Sequence, residues 1–200
     1  MNDGTRTTEA PTMARIPLEP ARTTPLIRAV KWYCRRVYGK TLDPVMAFAH
    51  NRRVLIGSSR FEMSVARWKA LDPGLKALAV MASAASIGCS WCMDFGYWEH
   101  QRHGVPREKL REVPRWRSSD VYTPLERDVM EYAEAMTATP PVVEDGLVER
   151  LRGALGDAAV VELTAMVGVE NLRSRVNSAL GLTSQGFKDR CDVPLGGGAA

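Results

Sequence analysis

Strand signals are almost absent from this 200-residue chain: no period-2 run of β-branched residues is bounded by an Asn-Gly or Asp-Gly turn. That excludes a sheet-based fold. Cysteine is scarce as well, with four residues at 34, 89, 92 and 191, far below the density of a secreted disulfide scaffold. A long apolar run is missing. Ala77 to Met93, the least polar stretch, is interrupted by Ser83, Ser86, Gly88 and Ser90 and falls short of the roughly 20 residues a membrane span needs. It reads as a buried helix. The first 25 residues lack the apolar region of a secretory signal, so a cytoplasmic protein with reduced thiols is expected.

What is present is the composition of a soluble globular chain, 45% hydrophobic and 25% charged, and the length of one domain. The net charge of +4 is uneven, because residues 1–60 hold eleven Lys or Arg against four Asp or Glu. Arg28, Lys31, Arg35, Arg36, Lys40, Arg52 and Arg53 form a basic cluster, but Trp32, Tyr33 and Val37 lie among them and no nucleic-acid recognition motif accompanies them. An amphipathic helix with a solvated basic face is the reading taken, with no nucleic-acid partner.

The punctuation of the chain is helical. Asp43-Pro44 and Asp72-Pro73 place a capping side chain before a proline, marking two helix starts. Thr123-Pro124-Leu125-Glu126 is a capping box, followed at helical spacing by Leu125, Val129, Tyr132 and Met136. Pro140-Pro141 ends that helix; Leu147, Leu151 and Leu155 mark a short one stopped by Gly156. A long helix from about Asp157 to Leu180 is expected to bury Val160, Leu163, Val167 and Leu172. Val113 to Tyr122 is expected to be a longer surface connection. The fold class is therefore all-α, a bundle of seven to nine helices. Residues 1–24 are expected to be a disordered tail, 25–191 a single helical domain and 192–200 a flexible tail.

One short motif carries a specific chemistry. In Cys89-Ser90-Trp91-Cys92 two cysteines lie about one helical turn apart, close enough to form a disulfide without rearranging the chain. A helix start stabilises the reactive thiolate through its unpaired N–H groups. Such a pair suits redox chemistry or metal binding, and two packed core cysteines are the plain alternative. Zinc needs two further ligands, and Cys34, Cys191, His100 and His103 do not supply a standard spacing, so no metal and no bound cofactor are expected.

The segment GCSWCMDFG, preceded by LDPGLKALAVMASAASI, resembles the redox motif of the carboxymuconolactone decarboxylase superfamily, in its alkylhydroperoxidase D-like branch. The likeness extends through LERDVMEYAEAM at 125–136 and VELTAMVGVENLRSRVNSALGLTSQGF at 161–187, and covers roughly residues 26–191. It implies a helical fold that assembles into trimers or hexamers. It also implies a peroxidase in which Cys92 attacks the peroxide and Cys89 resolves the sulfenic acid as a disulfide. The partners implied are a hydroperoxide substrate and a protein or small-molecule dithiol reductant.

In that branch a Glu on the preceding helix and two His relay the proton that activates the attacking thiol. The corresponding positions here look like Ala77, Trp91 and Gly96, none of which moves a proton. Asp94, Glu99 and His100 are the replacement candidates, with His103 behind them. On one helix His100 lies two turns beyond Cys92, about 12 Å away at the 1.5 Å rise. Asp94 also reads as a first-turn carboxylate serving the helix dipole. His103, before Gly104, reads as a helix-end group. The run Glu170, Asn171, Arg173, Arg175 and Asn177 reads first as a satisfied interhelical network and second as a pocket wall beside Cys92. Cys34 reads as core and Cys191 as a surface thiol or third redox partner.

Three functions compete on this reading: a thiol peroxidase or thiol–disulfide oxidoreductase, which leads; a non-catalytic oligomeric helical protein or redox sensor; and a lyase acting on a ring-opened aromatic acid. The last needs a cationic anchor, for which Arg173 and Arg175 are the only suggestive residues.

Overall fold

A computed structural model describes residues 14–20 and 22–191. Among them are nine α-helices and no strand: α1 (Pro25–Tyr38), α2 (Asp43–Phe48), α3 (Arg52–Val65), α4 (Pro73–Ile87), α5 (Ser90–Arg102), α6 (Arg107–Glu112), α7 (Pro124–Thr137), α8 (Asp145–Leu155) and α9 (Asp157–Ala179). Two short 3₁₀ turns follow α6 and end the described chain. The all-α bundle expected from the sequence is the fold observed.

α4 is the axis of the bundle. Every residue from Ala77 to Ala84 is buried, and α5, α7 and α9 pack around it. A helix apolar on all sides belongs in a core, and its alanines let three neighbours approach closely. The weakly polar run 77–93 is thus a buried helix and the start of a second, broken at Gly88, whose φ of 78° closes α4 with a left-handed residue. No helix among the described residues is long and apolar enough to cross a membrane.

The cap signals hold with one shift. Asp72 accepts from Gly74 N at 2.8 Å and Leu75 N at 3.0 Å, and Thr123 with Glu126 forms the complete capping box. At α2 the N-cap is Leu42, so Asp43 is already helical and serves the first turn by charge.

Three expectations are corrected. Leu172 is 56% exposed, whereas Val160, Leu163 and Val167 are buried as expected. The buried stripe of α9 continues at helical spacing through Glu170, Ser174 and Asn177, and Leu172 lies off it. The connection 113–122 is not a surface loop: Val113, Trp116, Ser119 and Tyr122 are buried, because the 3₁₀ turn lays Trp116 on the core and Trp116 Nε1 donates to Glu134. The described part of the expected 1–24 tail is tied down: Arg15 N donates to Leu180 O at 2.9 Å, and His50 Nε2 lies 2.6 Å from Pro17 O. Residues 1–13, 21 and 192–200, including the expected flexible end, lie outside the described residues.

Candidate active site

Gly88 ends α4 and Cys89 caps α5, so the motif straddles a sharp helix-to-helix corner. Cys89 Sγ takes the place of a capping oxygen, accepting from Cys92 N at 3.2 Å. Cys89 and Cys92 are joined as a disulfide with their Cα atoms 5.3 Å apart. Both are buried at the N-terminus of α5, where the helix dipole favours a thiolate.

α9 supplies the polar surroundings. Asn177 Nδ2 donates to Cys92 Sγ at 3.3 Å and lies 4.0 Å from Cys89 Sγ. Ser174 Oγ lies 3.3 Å from Cys92 Sγ and donates to Glu170 Oε1 at 2.7 Å. Burial pushes the Glu170 carboxyl up to about 7, while Arg173 and the Ser174 hydroxyl pull it back. Arg173 Nη1 stands 3.5 Å from Glu170 Oε2, and the rest of the guanidinium is paired with Glu62 of α3. Of the polar run singled out in the sequence only Asn177 reaches Cys92; Arg173 pairs with Glu62 of α3 and Asn171 bonds Thr137 of α7, so the run forms a satisfied interhelical network. Ser174 was not singled out in the sequence. The signal that would have found it is the buried stripe of α9, extended past Val167 at the same spacing.

The three relay candidates on α5 are placed elsewhere. Asp94 is buried and accepts three backbone N–H groups, from Gln185 at 2.9 Å, Phe187 at 3.0 Å and Lys188 at 2.8 Å. It staples the chain after α9 to α5 rather than facing the thiol. Glu99 pairs with His103 at 3.2 Å on the surface. His100 lies on the unbroken α5, so the rise of about 12 Å from Cys92 stands. Burial, with His103 and Arg173 nearby, lowers its pKa to about 4, so its imidazole is neutral at pH 7.

The three positions that the resemblance set against a proton relay, Ala77, Trp91 and Gly96, are filled by packing. Ala77 is fully buried, and Trp91 stacks on Phe95 at 5.0 Å while its Nε1 donates to Gln185 at 2.8 Å. A Cβ on Gly96 would come within 2.5 Å of Met81 Sδ, so α4 and α5 approach too closely there for a side chain unless Met81 moves. Gln185 also accepts from Asp43 N and donates to Thr41 O, tying the α1–α2 loop to the motif.

Cys34 is buried among Leu42, Trp98 and Phe187, and burial pushes its thiol pKa up, which fits a core residue. Cys191 is half-buried, with its carbonyl accepting from Arg107. Arg175 donates to Thr137 O and Thr139 Oγ1 at the end of α7, so both arginines proposed as anchors for an aromatic acid are engaged within the fold. A cleft of about 410 Å³ runs along the neighbouring face of α5, lined by Ser90, Met93, Asp94, Tyr97 and Lys188 among others. No three His, Cys, Asp or Glu side chains gather into a metal-sized cluster among the described residues.

Comparison with known proteins agrees with this fold. Residues 57–135 match the carboxymuconolactone decarboxylase family, a span from within α3 to within α7 that ends before α9. The uncharacterized protein YnjA of Escherichia coli is 32% identical over 185 residues, covering 92% of this chain and 96% of that one. Among solved structures, a variant of the debrominase Bmp8 in complex with 2,3,4-tribromopyrrole superposes with a TM-score of 0.75 at 18% identity, covering 88% of this chain and 96% of that one. An uncharacterized peroxidase-related protein from Ralstonia eutropha JMP134, described as an alkylhydroperoxidase AhpD core, gives 0.72 at 16% identity, covering 87% and 94%. The chain belongs to the carboxymuconolactone decarboxylase family.

Proposed function

We propose that the protein is a thiol-dependent peroxidase or thiol–disulfide oxidoreductase in which Cys92 is the nucleophile and Cys89 the resolving thiol. The observation that carries this reading is the Cys89–Cys92 pair at the start of α5, with Asn177 of α9 donating to the Cys92 sulfur and Ser174 Oγ 3.3 Å from it. A hydroperoxide is the oxidant; a protein or small-molecule dithiol in a reducing compartment is the reductant, and no bound cofactor takes part. The working form is a homo-oligomer, a trimer or hexamer. Trp32, Phe61, Met63, Val161 and Leu172 leave apolar surface that a subunit contact would cover.

The test is a free-thiol count and intact mass before and after one equivalent of hydroperoxide. Rapid loss of two thiols in the reduced wild type, and none of that rapid phase in Cys92→Ser, is the expected result. Equally slow oxidation in both proteins would remove the peroxidase reading and leave the helical sensor in its place.

A further inference from the structure

We propose that Ser174 and Glu170 of α9 form the proton relay of Cys92: the thiol gives its proton to the Ser174 hydroxyl oxygen while that hydroxyl gives its own proton to Glu170. The inference rests on the thiol chemistry proposed above and names the groups that drive it.

The geometry is a chain of three buried groups. Ser174 Oγ lies 3.3 Å from the sulfur and 2.7 Å from Glu170 Oε1, and a hydroxyl has one proton to donate and two lone pairs to accept with. With that proton on Glu170, the free lone pairs face the sulfur and receive a proton from a reduced Cys92. The spacing 170, 174 and 177 puts Glu170, Ser174 and Asn177 on one face of α9, directed at the start of α5. Asn177, already donating to the sulfur, stabilises the thiolate that results. Ser174 touches the reacting atom and is the catalytic member; Glu170 acts through it.

The charges around Glu170 suit an acceptor working near neutrality. Arg173 on the same helix favours the carboxylate but is shared with Glu62 of α3; His100 of α5, near Arg173, is neutral. Desolvation outweighs the arginine and leaves the carboxyl near 7, in the range where a group both accepts and returns a proton readily. Thiol and carboxyl hold one proton between them, so a thiolate forms beside a neutral Glu170 and two negative charges are never brought together.

The cycle balances. The Cys92 thiolate attacks the terminal peroxide oxygen, the S–O bond forms and the O–O bond breaks. The departing alkoxide takes the proton returned by Glu170 through Ser174 and leaves as an alcohol. Cys89 then attacks the sulfenic sulfur, the S–S bond forms, the S–O bond breaks and water leaves. The two electrons come from the two thiols and are restored by the external dithiol.

The experiment measures the rate of iodoacetamide labelling of Cys92, read at the peptide level, from pH 5 to 10 in reduced Cys89→Ser protein. Glu170→Gln, Ser174→Ala and Ser174→Thr are added in turn to that background, with circular dichroism confirming the fold. The parent is expected to show an inflection near 7. Glu170→Gln and Ser174→Ala should move it toward the ordinary thiol value of roughly 8.5, slowing labelling at pH 7 by about tenfold or more, and Ser174→Thr should restore it. A profile unchanged by both Glu170→Gln and Ser174→Ala overturns the relay. Parallel exposure of the reduced wild type to hydroperoxide keeps the two ideas separate. Rapid pair oxidation without a relay-dependent profile keeps the peroxidase and removes the relay, whereas a relay-dependent profile without peroxide oxidation does the reverse.

Discussion

Two carboxylates flank the motif helix at equal depth, and the fold treats them in opposite ways. Asp94 and Glu170 are each 3% exposed. Asp94 receives three backbone N–H groups at 2.8–3.0 Å, as many donors as a buried carboxylate needs to stay satisfied. Glu170 receives one hydroxyl at 2.7 Å and, at 3.5 Å, one nitrogen of an arginine whose other two nitrogens are paired with Glu62. Depth alone therefore says little about what a buried acid does; the number of donors aimed at it separates a staple from a proton acceptor.

The largest effect that would sharpen this contrast is at Asp94. Asp94→Ala leaves three amides of the segment after α9 without an acceptor and is expected to cost about 4 kcal/mol, with Asp94→Asn costing roughly half as much because one oxygen remains. Urea unfolding at pH 7 measures it, and proteolysis should open the chain between 183 and 191. The inflection in Cys92 labelling should stay where it is. If Asp94→Asn moved that inflection while leaving stability intact, the roles assigned to the two acids would be exchanged.

Glu170 gives the next effect, and it depends on pH. Its folded value of about 7 lies above the ordinary 4.5, so the stability contributed by its neutral form is complete below pH 4.5 and is lost as pH rises through 7. The loss amounts to about 3 kcal/mol. His100 has the opposite slope: lowered to about 4 from 6.5, it weakens the fold as pH falls below 6.5. The wild-type curve therefore hides both, and the difference between wild type and Glu170→Gln isolates the carboxyl. That difference should move in favour of the variant by about 3 kcal/mol between pH 4.5 and 8 in urea titrations. A constant difference would mean that Glu170 is ionised throughout and serves only to hold Arg173.

Much of the fold was legible because its signals are local. Asp72, Thr123 and Glu126 satisfy amides within three residues of themselves, and the two cysteines are three residues apart. The site was half legible for the same reason. Asp94 was read against its own helix, but its partners come from more than ninety residues away, which no helical spacing reveals. Glu170 stood out as a polar residue on an apolar helix, yet its neighbour Ser174 did not, since a serine on a helix has no distinctive spacing of its own. Leu172 misled by hydrophobicity alone: carried past Val167, the stripe lands on Glu170, Ser174 and Asn177, so the line was broken by side-chain character and not by geometry.

The smallest effect belongs to the other acid–base pair on the motif helix. Glu99 and His103 are one turn apart, with side chains 32% and 67% exposed, and their contact of 3.2 Å is screened by solvent. His103→Ala should change stability by less than about 0.5 kcal/mol in thermal melts. Cys92 labelling should keep its rate and its inflection. The null result is informative because His103 also lies near His100 and contributes to lowering its pKa. If the α5 histidines activated the thiol, removing His103 would raise the His100 pKa and shift the labelling profile even though the surface pair itself stabilises little. An unmoved profile therefore localises the proton acceptor to α9, on the side of the motif where Ser174 and Glu170 stand.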